Sequence, residues 1–137
     1  MKKKIIGSLF MLIVFVLTNS CGQENKNIQV IKPAKFEAIM KSDPNAVLLD
    51  VRTREEYKSG TIAKSVNIDF YADDFAKQIA KLDKDKTYLV YCRSGKRSNK
   101  TAGMMIEQGF KNVFDLDGGI ISWKAAELPV EMPAKKQ

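Results

Sequence analysis

One short run, Cys92-Arg93-Ser94-Gly95-Lys96-Arg97-Ser98, gathers most of the reactive chemistry in this chain of 137 residues. A single thiol is followed by three cations, two hydroxyls and a glycine. Backbone N–H groups converging from such a loop, together with Arg93, Lys96 and Arg97, favour the thiolate over the thiol. Cys92 is therefore expected to be a nucleophile with a lowered thiol pKa, and Gly95 supplies the backbone freedom that a cradle of N–H groups needs. A structural cysteine would have apolar neighbours, whereas only polar or glycine residues follow this one through Ser98. The loop length also selects a ligand. A thiolate phosphatase places five residues between Cys and Arg, but here Arg97 follows after four and Ser98 stands at the phosphatase arginine position. The tighter cradle suits a sulfane sulfur better than a phosphate tetrahedron. No histidine occurs, so backbone and cations must activate the thiol, and neither a metal nor a cofactor is expected.

The segments on either side say how the loop must be held. Thr87-Tyr88-Leu89-Val90-Tyr91 has the β-branched and aromatic content of a strand, and Ser98 to Gln108 has helical spacing with Ala102, Met105 and Ile106 inward. Cys92 thus lies where a strand end feeds a helix N-terminus, the position at which open α/β sheets bind ligands and the helix dipole favours anions. Further strands are expected at Ile28-Gln29-Val30, Ala46–Val51, Ser65–Ile68 and Asn112–Leu116. Helices are expected after Pro33 (with Phe36, Ile39 and Met40 on one face), over Arg54–Lys58, Asp73–Leu82 and Ile120–Glu127. This alternation predicts an α/β domain, a parallel sheet with helices on both faces.

The amino terminus is a separate matter. Lys2-Lys3-Lys4 precedes an apolar run from Ile5 to Leu17, the order of a secretory signal, and that run is short of the ~20 residues that span a bilayer. Leu17-Thr18-Asn19-Ser20-Cys21 resembles a bacterial lipobox, although Leu17 falls one place early. Cys21 is accordingly expected to be acylated, anchoring the domain to a membrane in the bacterial cell envelope or periplasm. The expected organisation is a signal over 1–20, lipidated Cys21 and a tether to residue 29, one domain over 30–130 and a tail over 131–137. Removal of the signal takes away three lysines and leaves 20 basic against 16 acidic groups, a net charge near +4 rather than +7. The remaining charges are interspersed, which argues against nucleic-acid binding. With Cys21 acylated, Cys92 has no disulfide partner, and an unpaired exported thiol implies a use for it.

The loop Tyr91-Cys92-Arg93-Ser94-Gly95-Lys96-Arg97-Ser98 resembles the active-site loop of the rhodanese superfamily. Asp50-Val51-Arg52, Glu55-Glu56-Tyr57, Gly60, Ile62 and Asn67-Ile68 resemble its upstream signature, and Asp117-Gly118-Gly119-Ile120, Trp123 and Leu128-Pro129-Val130 its C-terminal one. The resemblance covers nearly all of residues 30–130. It implies a five-stranded parallel sheet and a two-step sulfur transfer through a Cys92 persulfide. The donor is a small anion such as thiosulfate, and the acceptor a thiol or cyanide. Carried over onto this chain, the N–H groups of Arg93, Ser94, Gly95, Lys96, Arg97 and Ser98 form the cradle, with Lys96 and Arg97 as anion contacts. Asp50 and Arg52 lie close to the loop in the family; as residues they read first as a strand-end cap and a partner for Glu56, four positions on. Trp123 and Gly118-Gly119 read as packing and turn residues. Thr61, Lys64 and Asp69 depart from a common His, Gly and Pro. The protein is expected to be a monomer. Two other readings stay open: a sulfur carrier loaded by a partner protein, and an arsenate- or phosphate-ester enzyme on the same fold.

Overall fold

The computed structural model describes residues 28–134. The signal, Cys21 and nearly all of the tether lie outside the described residues. Ten elements alternate along the chain: β1 (Gln29–Ile31), α1 (Pro33–Ser42), β2 (Val47–Asp50), α2 (Arg54–Lys58), β3 (Val66–Asn67), α3 (Phe75–Ala80), β4 (Thr87–Tyr91), α4 (Lys96–Glu107), β5 (Asn112–Leu116) and α5 (Gly119–Ala125). The five strands form one parallel sheet in the order β1-β5-β4-β2-β3, as the alternation predicted.

Continuous apolar runs make the inner strands, because a parallel sheet is covered on both faces. Leu49 and Val90 point to one face, where α3 (Phe75, Ile79) and α4 (Ala102, Met105) close over them. Leu48, Leu89 and Tyr91 point to the other, beneath Phe36 of α1 and Ile120 and Trp123 of α5. Phe36 meets Tyr91 and Trp123 edge to face. The two layers hold β4 rigid at the centre of the sheet, with Cys92 at its carboxyl end.

Local signals set the element ends. Pro33 opens α1 at its first turn. Thr53 and Glu56 form a reciprocal capping box at the start of α2. α3 is shorter than its helical spacing implied, since Asp73 and Asp74 are spent in turns. α4 starts at Lys96, two residues earlier than expected, so half of the polar loop is already first helical turn. Residues beyond 130 are pinned rather than loose at their start: Glu131 and Thr61 form a two-way backbone bridge.

The three departures have local roles. Thr61 Oγ1 donates to Asp50 Oδ2 at 3.1 Å and lies 2.6 Å from Tyr91 Oη. Lys64 adopts the left-handed region at φ 62°, a conformation glycine takes without strain. Asp69 accepts from the N–H groups of Arg54 and Tyr71.

Candidate active site

The site is built from four elements around the end of β4. Cys92 is 1 % exposed, so its thiol is more enclosed than the polar sequence around it suggests. Its Sγ nevertheless faces donors: Gly95 N–H at 3.1 Å and Ser98 Oγ at 3.4 Å. Gly95 makes the first contact possible by taking φ 98°, which turns the chain back over the sulfur before α4 begins. Among the described residues, no protein group accepts from the N–H groups of Arg93, Ser94, Lys96, Arg97 or Ser98. These are the orphan donors of a helix start and the loop before it, left available for an anion beside the sulfur.

What keeps those N–H groups unspent is the other side of the same peptides. Ile120 N–H donates to the carbonyl of Cys92 at 2.9 Å, and Ile121 N–H to that of Arg93 at 3.2 Å. The start of α5 thus holds the loop carbonyls away from the cradle. The approach is so close that a Cβ on Gly119 would lie 2.5 Å from both carbonyl oxygens, and Gly119 itself has φ 60°. Gly118-Gly119 is therefore part of the site's framework and not merely a turn. The paired glycines were visible in the sequence, but nothing there indicated that they abut a loop more than twenty residues upstream.

Arg97 is not free to contact an anion in the way its position suggested. Its two terminal nitrogens donate to Glu56 at 2.8 and 2.9 Å, and its guanidinium lies 5.7 Å from the ring centroid of Tyr71. The bonds from Arg97 draw the Glu56 carboxyl down to about 2, further helped by Thr53 N–H and against the cost of burial. They also hold the Arg97 pKa above its ordinary value. The pair clamps α2 to α4 across the mouth of the site. Arg93 and Lys96 are exposed beside the loop and carry the positive field that meets an incoming anion.

Asp50 and Arg52 form a buried unit behind the loop. Arg52 donates to both oxygens of Asp50, with a shortest distance of 2.6 Å, and to the carbonyl of Gly60 at 2.7 Å. Arg52 thus pairs with Asp50 rather than with Glu56. Tyr91 Oη sits among Thr61, Ser65 and Ile62 N–H, and burial pushes its pKa well above the usual phenol range. Asn67 ties β3 to the carbonyls of Asp50 and Arg52. None of these groups hydrogen-bonds to the sulfur. They fix the ends of β2 and β4 and so position the loop. No cluster of groups that could hold a metal occurs among the described residues.

A family model for the rhodanese-like domain matches residues 32–126. The chain is 36 % identical over 102 residues to the putative sulfurtransferase YtwF of Bacillus subtilis, covering 74 % of this chain and 96 % of that one. It is 40 % identical over 96 residues to the tRNA uridine(34) hydroxylase of Cytophaga hutchinsonii, covering 68 % of this chain but only 30 % of the hydroxylase, so the likeness there is to one part of a longer protein. Among solved structures, a rhodanese-related protein from Thermoplasma volcanium superposes with a TM-score of 0.65 at 32 % identity, covering 77 % of this chain and 99 % of that one. By fold, by the loop around Cys92 and by these matches, the chain belongs to the rhodanese-like domain family.

Proposed function

We propose that the protein is a sulfurtransferase that carries sulfane sulfur as a persulfide on Cys92. The observation that supports this reading is the cradle: one sulfur atom faced by Gly95 N–H and Ser98 Oγ and ringed by unspent N–H groups. Preorganised donors of this kind stabilise an anion as it forms without reorganising. In the first step the Cys92 thiolate attacks the outer sulfur of a thiosulfate-like donor. A Cys92 S–S bond forms, the donor S–S bond breaks, and sulfite departs with the electron pair. In the second step a thiol or cyanide attacks the terminal sulfur, and the Cys92 thiolate is the leaving group. Arg93 and Lys96 attract the donor, and the loop N–H groups hold the persulfide anion.

The phosphate-ester reading is disfavoured by Arg97, which stands one residue short of the phosphatase position and has both terminal nitrogens on Glu56. A partner-loaded carrier would use the same cradle without turnover of small donors. For location, the charge order of residues 1–20 and Cys21 supports an exported, lipid-anchored protein in the bacterial envelope.

Steady-state kinetics with thiosulfate and cyanide test the activity. A shuttle through a covalent intermediate gives parallel double-reciprocal lines, and Cys92→Ser lowers turnover by about a thousandfold or more. Intersecting lines, or turnover surviving in Cys92→Ser, would remove the persulfide step. Hydrolysis of an aryl phosphate in place of sulfur transfer would reinstate the phosphatase reading.

A further inference from the structure

An open cavity of about 450 Å³ adjoins the catalytic loop, lined from β1, α4 and the end of β5. Its size falls within the ~300–1,000 Å³ of small-molecule sites. Ser94, Gly95 and Lys96 form one wall, whereas Cys92 does not line it, so the cavity is separate from the sulfur. Its charges are arranged by depth. Lys96 and Lys100 are one turn apart on α4 and both exposed, which places their ammonium groups at the rim. Neither is ion-paired among the described residues. Asp115 of β5 lies at the floor and is 2 % exposed. Its Oδ2 accepts from Asn99 Nδ2 at 3.1 Å, while its Oδ1 is buried with no hydrogen-bond partner. Asp117, the other acid of the lining, is spent on Lys32.

A buried carboxylate oxygen without a donor is costly, and a donor group entering from the cavity removes that cost. The lining sets the character of the ligand. A simple anion would satisfy the lysines and leave Asp115 unanswered, and a simple cation would be repelled at the rim. We propose that this cavity binds a small amino-carboxylate, a ligand of amino-acid type whose ammonium donates to Asp115 and whose carboxylates pair with Lys96 and Lys100. The nearly closed floor admits the narrow ammonium end, and the open rim takes the anionic end. Val30 and Leu116 of the lining are apolar, and Asn99 already donates to Oδ2, so the ligand supplies a donor that these neighbours do not. Binding here requires no persulfide on Cys92, so this site and the sulfur transfer stand or fall separately.

The test is calorimetric titration of the full chain with L-glutamate and with glutarate, which has two carboxylates and no ammonium, at constant ionic strength. Glutamate is expected to bind at one site, about tenfold more tightly than glutarate, the size of one hydrogen bond between charged groups. Asp115→Asn removes that preference, because a neutral amide does not attract an ammonium. Lys100→Glu, at an exposed position, weakens both ligands by about tenfold through the reversed charge at the rim. Carboxymethylation of Cys92 with iodoacetate fills the cradle and leaves glutamate binding in place. Equal affinity for the two ligands overturns the proposal, as does a preference that survives Asp115→Asn. No binding of glutamate at millimolar concentration overturns it too, and leaves the cavity to water. Loss of binding on carboxymethylation would put the ligand in the cradle and contradict a separate site. If Asp115→Asn does not fold, unaltered glutamate binding in Lys100→Glu overturns the proposal instead.

Discussion

Glu56 and Arg97 are 41 positions apart, and their pairing decides how the site meets an anion. With Arg97 spent on a carboxylate, the charge at the loop is carried by Arg93, Lys96 and backbone N–H groups, which reach the sulfur without a long side chain having to be ordered. The pair also has a signature in acid. The Glu56 carboxyl is held at about 2, below its unfolded value of about 4.3. Its contribution to stability is therefore complete above that unfolded value and is lost as the pH falls toward 2. Glu56→Gln is expected to lose about 1–2 kcal/mol at neutral pH, the range of a partly buried charge-assisted pair. Urea midpoints should then converge for parent and variant as the pH drops; a constant gap between them would mean that the clamp is not electrostatic. This pairing was not legible in the sequence, where Arg52 stood at helical spacing from Glu56 and looked the better partner. Asp50, two residues from Arg52 and fully buried, takes that arginine instead.

At the scale of elements, the loop is a compromise between α4, which offers its first-turn donors, and α5, which takes the loop carbonyls. Gly119 is where the two meet. Gly119→Ala would force a Cβ into the Cys92 and Arg93 carbonyls and into a left-handed backbone, so it is expected to destabilise by about 1–3 kcal/mol. It should also lower sulfur transfer more than tenfold at temperatures where the protein stays folded, because the N–H cradle is displaced. Near-normal turnover in folded Gly119→Ala would show that α5 does not set the cradle. The strands β4 and β5 and the helix α2 were legible to the residue, because strand composition and a short helical run ending at Gly60 are local signals. The start of α4 was not, since Lys96 and Arg97 look like loop by polarity; what makes them helical is Gly95, which turns the chain into the helix. Asp115 was read only as a strand residue, and its buried, half-satisfied state emerges from the packing of α4 against β5.

For the whole molecule, both apolar clusters draw on residues from Ile28 to Leu128. Among the described residues, these two clusters cover both faces of the sheet. A chain beginning at Ile28 is expected to keep its thermal midpoint within about 2 °C and its turnover of small donors, because the described clusters already close over both faces of the sheet. A larger fall would assign the residues before Ile28 a place in the fold. The parallel sheet covered on both faces and the position of Cys92 at a strand end followed from alternation and strand composition, which act across the entire chain, whereas the strand order β1-β5-β4-β2-β3 did not. The central claim is that Cys92 carries sulfur covalently, and the intact mass of the reduced protein after thiosulfate tests it most directly. The parent should gain the mass of one sulfur atom, Cys92→Ser should gain none, and cyanide should remove the addition. A fully reduced parent that gains no sulfur, or a Cys92→Ser variant that gains as much, would contradict the account.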